Sequence, residues 1–444
     1  MMVRLSDWAW IKDFPKEKKA KLKKALTVYP IAFKQNEVKP VFLYREQDDY
    51  IGIPRSFFEE RRSVDHDIID ARSDGISIDV PFVGKLKKDQ SVAMDTFIDV
   101  IDSGKSGGIV KASPGWGKTV FAIATWCKFK RNALVLVQRE YLANQWKKRI
   151  EKFAPSARVG IIQKDKLEYG NDYDISIATI QTLVARHESY PKEFWSSFGV
   201  VITDEAHRIG APSWASIGTM FTGKVRLGLT ATPRRKDGAQ NVFFYHIGPV
   251  VYSSRVKRLT PQLRRIFTDF RLSKTPNFDP DLASRDIKIR FLCANFDRNR
   301  LIVSEMVKAI GAGRKVMVLS ERRKHLDLLN NMFLDFKPDN CKTGFYVGLR
   351  TQEELDVAER ADVVFATYQM AREALDIPDL DTLFLTTPSS DVEQAVGRIM
   401  REFKDKKKPV VTDFIDQYVP NFVRCWNDRR RFYIKEGMFK EEVR

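Results

Sequence analysis

The sequence contains few cysteines and no long apolar run. Its four cysteines are widely spaced and form no Cys-x-x-Cys pair: Cys127, Cys293, Cys341 and Cys425. This spacing suggests neither a zinc site nor a disulfide framework, and it favours a reducing compartment. No run of about 18 apolar residues is present, so we expect no membrane partner. The first residues are charged and lack the apolar core of a signal peptide, so we expect a cytoplasmic protein.

Acidic residues are fewer than basic ones. The 444 residues include 58 Asp and Glu against 76 Lys and Arg, which gives a net charge of +18. Such an excess favours a polyanionic partner, although a basic protein without such a partner has the same charge. The basic side chains cluster most closely in residues 12–24, 255–265 and 404–431. Any single cluster is more often a solvated surface than a binding site.

Short apolar runs alternate with amphipathic segments, and neither an internal repeat nor a low-complexity segment interrupts them. Apolar strands separated by helices predict parallel sheets that helices cover on both faces. The runs in the first half are residues 109–110, 134–137, 175–178, 200–202 and 226–229. Those in the second half are residues 316–319, 345–347, 363–366, 383–385 and 410–411.

The length of the chain predicts two or three domains. Residues 1–80 mix β-rich runs, such as residues 41–44, with charged helical segments, and we interpret them as a small α+β accessory domain. The two α/β domains are then residues 81–252 and residues 253–444. Residues 250–265 are basic and irregular, which suits a linker, and a helix is predicted from about residue 418.

Residues 111–119, Lys-Ala-Ser-Pro-Gly-Trp-Gly-Lys-Thr, lie between a predicted strand and a predicted helix. This is the layout of a phosphate-binding loop, in which glycines let backbone N–H groups point at phosphate oxygens. Lys118 would reach the β- and γ-phosphates, and the Thr119 hydroxyl would ligate Mg²⁺. The usual pattern opens with glycine, whereas this one opens with Ala112. The alternative is an ordinary turn that happens to end in Gly-Lys-Thr.

An acidic pair follows the predicted strand at residues 200–203. Adjacent buried acids are costly unless they serve a cation or a proton. We therefore expect Asp204 to hold Mg²⁺ and Glu205 to orient and deprotonate the attacking water. His207 would couple these acids to the hydroxyls of Thr230 and Thr232. The alternatives are an ordinary acidic surface turn and hydroxyls that only cap a turn before Pro233.

Two arginines lie in the second α/β domain. Arg398 and Arg401 are three residues apart, which places both on one face of a predicted helix. Two such guanidinium groups can bind a γ-phosphate as arginine fingers, although alone they would more often form an exposed basic patch. If the first domain holds the phosphates, we expect the cleft between the domains to close on nucleotide and to convert hydrolysis into domain motion.

Together these segments resemble the superfamily 2 helicases over roughly residues 82–415. The resemblance rests on the order of segments similar to motifs Q, I and Ia, a further strand-contacting motif, and motifs II (in its DEAH form), III, IV, V and VI. In the order just given, these segments are residues 86–90, 112–119, 134–146, 179–182, 204–207, 229–233, 316–320, 366–378 and 394–401. Motif V departs from the family by having Ala374 where glycine is usual.

The resemblance implies two tandem RecA-like parallel-sheet domains, an α+β accessory domain, ATP and Mg²⁺. It implies nucleotide binding by Lys87, Gln90, Ser113, Pro114, Gly115, Trp116, Gly117, Lys118, Thr119 and Asp376. It implies catalysis by Asp204, Glu205, Gln394, Arg398 and Arg401, with Mg²⁺ on Thr119 and Asp204 and coupling through His207, Thr230 and Thr232. It also implies contacts with the nucleic-acid backbone by Arg139, Thr179, Gln181, Ser320 and Thr367. Contacts of that kind position a strand without reading its sequence.

Within the superfamily, the compact chain with a small N-terminal domain resembles the UvsW-type phage helicases. This resemblance implies a monomer that works on forked and four-way DNA in replication, recombination or repair, in the host cytoplasm if the origin is a phage. The motifs would serve a double-strand DNA translocase or an RNA helicase equally well. A non-enzymatic basic scaffold is disfavoured, because it has no physical reason to retain Lys118, Glu205, Arg398 and Arg401 together.

Overall fold

A computed structural model divides the chain into two compact units, Met1–Arg255 and Val256–Arg444. The structure describes residues 2–30, 40–62, 67–113, 115–163, 166–208, 217–233, 238–254, 259–275, 279–348, 350–373 and 377–439. Within these residues, no helix combines the length and the apolar character needed to cross a membrane.

The N-terminal part of unit 1 contains a five-stranded mixed sheet with the order β5-β6-β2-β1-β7. A separate short hairpin, β3–β4, and two helices accompany this sheet. The strands are β1 Met2–Leu5, β2 Ala9–Lys12, β3 Thr27–Val28, β4 Val41–Phe42, β5 Arg45–Gln47, β6 Tyr50–Ile53 and β7 Asp67–Asp70. The helices are α1 Lys16–Ala25 and α2 Arg55–Arg61.

Two buried arginines bind this N-terminal part to the rest of unit 1. The guanidinium group of Arg55, on α2, donates hydrogen bonds to the backbone oxygens of Ser6 at 3.0 Å and Gly223 at 2.9 Å. Arg226 donates to the backbone oxygen of Asp7 at 3.0 Å. An apolar cluster shared by both parts lies beside these bonds. The N-terminal part is therefore a fixed component of unit 1, because both arginines would leave carbonyl groups unbonded if it separated.

The rest of unit 1 is built on an eight-stranded sheet with the order β11-β10-β12-β9-β13-β14-β8-β15, parallel except for β11. Apolar clusters cover both of its faces. Its strands are β8 Gly107–Lys111, β9 Ala133–Val137, β10 Val159–Gln163, β11 Lys166–Leu167, β12 Ile175–Thr179, β13 Val200–Thr203, β14 Val225–Thr230 and β15 Val250–Ser253. Its helices are α3 Lys88–Asp102, α4 Lys118–Phe129, α5 Glu140–Phe153, α6 Ile180–Arg186 and α7 Asn241–Ile247, with 3₁₀ turns at His187–Ser189, Lys192–Ser196 and Ala206–Arg208.

Unit 2 contains a six-stranded parallel sheet with the order β16-β21-β20-β17-β19-β18. Its strands are β16 Gln262–Thr268, β17 Val316–Ser320, β18 Thr343–Tyr346, β19 Val363–Thr367, β20 Thr382–Leu385 and β21 Val410–Asp416. Its helices are α8 Arg285–Ala294, α9 Phe296–Gly311, α10 Arg323–Leu334, α11 Gln352–Glu359, α12 Tyr368–Glu373, α13 Glu393–Ile399 and α14 Pro420–Lys435. A buried apolar cluster lies between this sheet and its helices.

The fold class predicted from the sequence is confirmed. All ten predicted runs lie on parallel strands, except that Val347 follows the end of β18. The predicted irregular linker at residues 250–265 is wrong in part, because it contains β15 and the start of β16. Both are edge strands, and the side chains of β16 are largely exposed, so its sequence lacks the apolar run of a strand buried on both faces.

Candidate active site

The loop after β8 has the backbone shape that a phosphate-binding loop requires. Gly115 and Gly117 adopt left-handed conformations with φ of 85° and 95°, which glycine adopts at little cost. Lys118 and Thr119 are the first two residues of α4, so both lie at a helix N-terminus that favours anions. Pro114 lies outside the described residues. This geometry agrees with the sequence prediction of a loop that can surround phosphate.

Gln90 ties helix α3 to this loop. Its side-chain amide nitrogen donates to the backbone oxygens of Trp116 at 2.9 Å and Gly117 at 3.3 Å. Its side-chain oxygen accepts from the backbone nitrogen of Lys87, the residue that precedes α3, at 2.9 Å. A Cβ atom added to Gly117 would lie 2.6 Å from the Gln90 amide nitrogen. A side chain at 117 would therefore strain the left-handed backbone and displace the Gln90 amide.

Two residues that sequence reasoning missed also support the loop. The carboxylate of Asp89 accepts hydrogen bonds from the indole of Trp116 and from the hydroxyl of Tyr252 on β15. Trp116 is buried, so these bonds and its packing fix the middle of the loop. Asp89 follows the predicted Q-motif lysines directly, but nothing in the sequence links it to Tyr252, which is 163 residues away.

The lysine of the loop lies beside the acidic pair. Lys118 Nζ is 3.4 Å from Oε1 of Glu205 and donates to the backbone oxygen of Ala112 at 3.3 Å. The pairing of strands β8, β14, β13 and β9 explains this proximity, because their carboxyl ends meet at one edge of the sheet. The structure thus brings Lys118, Thr119, Asp204 and Glu205 to the same edge.

Asp204 is buried at the end of β13. Its Oδ2 accepts from the indole nitrogen of Trp146 on α5 at 2.9 Å, and its Oδ1 accepts from the Glu205 backbone nitrogen at 2.9 Å. Burial, together with the charge of Glu205, raises the pKa of Asp204 to about 6. A cation at this carboxylate would offset that cost. Trp146 is a further residue that the sequence did not reveal.

His207 connects the acids to the end of strand β14. Its Nδ1 lies 2.7 Å from the Thr230 hydroxyl and 3.3 Å from Oε2 of Glu205. The Thr230 oxygen also accepts from the backbone nitrogen of Thr232 at 3.2 Å. The structure therefore brings His207 and the Thr230 hydroxyl together, whereas Thr232 joins them through its backbone nitrogen and not through the predicted hydroxyl. Glu205 itself has a φ of 47°, an uncommon conformation for a residue other than glycine.

The arginines of unit 2 differ from the sequence prediction. Helix α13 ends at Ile399, so Arg398 lies on the helix but Arg401 lies beyond its end. The prediction that both occupy one helix face is wrong, because the chain leaves the helix at buried Met400. Arg398 donates to the backbone oxygen of Arg372 at 2.8 Å. Gln394 is half-buried in the first turn of α13, and Ala374 and Asp376 lie outside the described residues.

Three of the residues predicted to contact nucleic acid are accessible to different degrees. Arg139 precedes α5 and is exposed, as is Gln181 on α6. Thr367, at the end of β19, is half-buried, and its hydroxyl accepts from the backbone nitrogen of Met370 at 3.4 Å. The side chains of Arg139 and Gln181 are therefore accessible from solvent, and that of Thr367 is only partly so.

The other two predicted contacts are buried. Thr179 accepts from the Thr182 backbone nitrogen at 3.4 Å as the N-cap of α6. Ser320 is fully buried, and its hydroxyl is 3.0 Å from Nδ1 of His325. The structure does not present the Ser320 hydroxyl at a surface, since it is used to support the turn after β17. Hydrophilic residues after strands serve local turns as often as ligands.

Known proteins resemble this chain in sequence. Residues 84–235 match the family described as "Type III restriction enzyme, res subunit". The chain is 29% identical over 432 residues to Putative ATP-dependent RNA helicase L396 of Acanthamoeba polyphaga mimivirus, covering 94% of this chain and 81% of the relative. It is 25% identical over 403 residues to Probable helicase D10 of Escherichia phage T5, covering 87% of this chain and 82% of the relative. These findings support a superfamily 2 helicase.

The fold is also that of a solved structure, Saccharomyces cerevisiae Dbp5. Saccharomyces cerevisiae Dbp5 bound to RNA and ADP BeF3 matches with a TM-score of 0.55 and 14% identity, over 80% of this chain and 89% of Dbp5. The crystal structure of T4 UvsW aligns with 98% of this chain and 97% of its own chain, with 15% identity and a TM-score of 0.42. The two parallel sheets of this chain thus have the fold of RecA-like domains, accompanied by an N-terminal α+β region.

Proposed function

We propose that this protein is an ATP-dependent DNA helicase that unwinds or branch-migrates forked and four-way DNA. The observation that carries the proposal is the line of contacts from Lys118 through Glu205 and His207 to Thr230. It joins a phosphate loop, a water-activating acid and a strand end in one site. The resemblance of the sequence to UvsW-type helicases is the basis for proposing branched DNA as the substrate.

The loop residues would bind the triphosphate of ATP. Backbone N–H groups around Gly115 and Gly117 and the N-terminus of α4 would surround the phosphates, while Gln90 would keep the loop in place and bind the adenine. Lys118 would exchange its contact with Glu205 for the β- and γ-phosphates. That exchange would release the Glu205 carboxylate at the moment when substrate is present.

The residues present fit a magnesium ion bound together with the nucleotide. Among the described residues, no group of three or more His, Cys, Asp or Glu side chains is arranged to hold a metal by itself. Mg²⁺ commonly binds through one or two protein oxygens together with phosphates and water. The Thr119 hydroxyl and the buried Asp204 carboxylate are the candidate ligands. The ion would neutralise charge on the phosphates.

Glu205 would orient the attacking water and accept its proton. Gln394, Arg398 and Arg401 would contribute to hydrolysis, the arginines by stabilising charge on the γ-phosphate. His207 and Thr230 would transmit the state of the nucleotide to the residues after β14. We propose Arg139, Gln181 and Thr367 as contacts with the nucleic-acid backbone.

The substrate proposal is a DNA junction bound by a monomer in the cytoplasm, and in the host cytoplasm if the protein is of phage origin. The net charge of +18 supports a polyanion. Helix α1 supports a role for the N-terminal region, because six of its ten residues are lysine and none is buried. Residues 1–80 would thus add a basic surface beside the helicase core that binds duplex or branched DNA.

RNA is the second candidate substrate, and one observation favours it. The relative from mimivirus is named as a putative RNA helicase and matches 94% of this chain. The sequence motifs do not separate the two substrates, because backbone contacts dominate binding in both. DNA and RNA must therefore be compared directly in one assay.

The experiment compares ATP-dependent strand separation on a four-way junction, a fork, a linear DNA duplex and an RNA duplex. The proposal predicts preference for the junction and the fork over the linear duplex and the RNA. Preference for RNA would replace DNA by RNA as substrate. DNA-stimulated ATP hydrolysis without strand separation would indicate a double-strand translocase.

A further inference from the structure

An exposed tyrosine lies at the junction of β21 and α14, outside every helicase-like segment. Tyr418 is two residues beyond the end of β21 and two residues before the first residue of α14, and 44% of it is exposed. The guanidinium carbon of Arg271 lies 3.8 Å from the centroid of its ring. Because the Arg271 guanidinium group covers one face of the ring, the exposed part of Tyr418 is a flat aromatic surface that packs against this group on its other face.

The neighbours of both side chains are buried and hold them in place. Val419, Phe422 and Phe270 belong to one apolar cluster with residues of α8. Phe270 precedes Arg271, and Val419 follows Tyr418. The backbone on both sides of the contact is therefore anchored in the core of unit 2, and the Tyr418–Arg271 pair is directed outward. Such a preorganised pair loses little conformational entropy when a ligand binds.

A shallow groove of about 370 Å³ runs from this tyrosine along α14. Its α14 residues are spaced by three or four positions, so they form one face of the helix. The groove is lined by Gln417, Tyr418, Pro420, Val423, Arg424 and Asn427. It therefore offers an aromatic ring, apolar walls, two amides and one guanidinium group.

The charge of the groove is positive. Arg424 is exposed and, among the residues that the structure describes, makes no ion pair. Arg431 lies further along the same helix face with 79% of its side chain exposed, but it is paired with Asp428 at 3.6 Å, so Arg424 supplies the unpaired charge. The opposite face of α14 is fixed by Arg429 and Tyr433, which both bond to buried Asp413. The groove thus suits a planar group that carries a negative charge.

We infer that this groove binds one nucleotide of a single-stranded nucleic acid. The base stacks on Tyr418, the amides of Gln417 and Asn427 bond its edge, and Arg424 binds the phosphate. Aromatic stacking combined with a nearby cation is the general solution for single strands of any sequence. The inference rests on the proposed function for its partner and adds a contact in unit 2 that the helicase motifs do not contain.

The test uses the full chain and single strands of roughly 12 nucleotides, as DNA and as RNA, that carry 2-aminopurine. Fluorescence anisotropy measures affinity, and quenching of 2-aminopurine reports stacking. Tyr418→Leu and Arg424→Ala should each weaken affinity about tenfold, whereas Tyr418→Phe should stay within about twofold. Arg290→Ala is the matched control, because it removes an arginine whose side chain is 75% exposed on α8. The DNA and RNA strands show which sugar the groove accepts.

Quenching should be lost in Tyr418→Leu and kept in Tyr418→Phe, and ATP hydrolysis without nucleic acid should be unchanged in both. If Tyr418→Leu and Arg424→Ala bind as tightly as Arg290→Ala and quenching is unchanged, the inference is overturned. Nucleic-acid-stimulated hydrolysis by the wild type would then still support the helicase. If the wild type neither binds nucleic acid nor is stimulated by it, the proposed function and the inference are both overturned.

Discussion

The ammonium nitrogen of Lys118 lies 3.4 Å from a carboxylate oxygen of Glu205. Both groups are partly shielded from solvent, with side-chain exposures of 12% and 25%. Their contact joins the two chemical functions that hydrolysis of a triphosphate requires, a cation for the phosphates and a base for the water. In the proposed mechanism ATP would compete with Glu205 for Lys118, so binding and activation of the base would be linked.

Lys118→Ala should lower kcat for ATP hydrolysis by at least about a thousandfold, because the variant lacks the charge that stabilises the phosphates. Affinity for DNA should stay near that of the wild type, since the partners of Lys118 among the described residues are Ala112 and the acidic pair. Steady-state ATPase kinetics and anisotropy with a fork measure the two quantities. Substantial residual hydrolysis would remove the phosphate-loop assignment. Glu205→Gln is the partner variant, in which ATP binding persists while hydrolysis is lost.

Thr230→Ala should separate hydrolysis from strand separation. The Thr230 hydroxyl contacts His207 at 2.7 Å and accepts from the Thr232 backbone nitrogen, and the residue is fully buried. Without it, we expect hydrolysis to fall less than about tenfold and unwinding per ATP to fall further. Thr230→Ser keeps the hydroxyl and should restore coupling. Equal losses of both activities in Thr230→Ala would assign the residue to the chemical step instead.

Gly117→Ala should raise KM for ATP by about tenfold or more. Alanine at this position meets two costs, a left-handed φ of 95° and a Cβ atom 2.6 Å from the Gln90 amide nitrogen. Gly170→Ala is a matched control, because Gly170 has a φ of 91° but no atom within 4 Å of the added Cβ. Only the first variant should alter nucleotide binding. Similar ATPase kinetics in the two variants would show that the approach of Gln90 is unimportant.

Strands could be predicted from the sequence where burial leaves an apolar run. Candidate site residues could be predicted where their chemistry requires particular residue types in a particular order. Central strands such as β9 and β13 are buried on both faces and therefore read as apolar runs. The loop glycines, Lys118 and the pair Asp204–Glu205 were recognisable because few functions other than nucleotide binding require these residue types in this order. The edge strand β16 was missed because most of its side chains are exposed, and its arginines suggested a linker.

Residues whose role depends on contacts with distant parts of the chain could not be predicted, because no local sequence pattern marks them. Trp146 binds Asp204 across 58 positions, and Arg55 binds Gly223 across 168 positions. Tryptophan on an amphipathic helix and arginine in a short helix have many possible roles. Their partners depend on how strands are ordered in the sheet, which the spacing of residues does not specify.

The N-terminal region should be tested with surface substitutions, since its deletion would damage unit 1. Arg226 and the apolar residues Ala239 and Val242 would lose partners in residues 1–80. We expect Lys18→Gln with Lys21→Gln, both exposed on α1, to weaken fork binding about threefold to tenfold and to reduce its salt dependence. The thermal midpoint should not change. Unchanged affinity and salt slope would exclude α1 from the DNA contact.

Arg55→Ala provides the structural contrast. It leaves the backbone oxygens of Ser6 and Gly223 without their donor in a buried site, so the free energy of unfolding of unit 1 should fall by about 2–4 kcal/mol. Denaturant titration followed by circular dichroism measures this loss. A loss below about 0.5 kcal/mol would show that the N-terminal part is not fixed by this arginine.

The stability of unit 2 should fall at acidic pH because of a buried histidine. Burial, together with the charge of Arg298, lowers the pKa of His325 to about 3, and its ring contacts Ser320 and Asn299. The unfolded chain takes up a proton near pH 6.5, so stability is complete above that value and is lost as pH falls towards 3. Between pH 7 and pH 5 this residue should cost about 2 kcal/mol.

His325→Gln should be less stable than the wild type at pH 7, because it loses packing and hydrogen bonds, but it should lose less stability on going to pH 5. His187→Gln removes an exposed histidine of unit 1 and should keep the wild-type pH dependence. Urea titrations at both pH values compare the three proteins. Parallel losses in all three would mean that His325 accepts a proton in the folded state, and that the turn holding Ser320 after β17 opens readily enough to admit water.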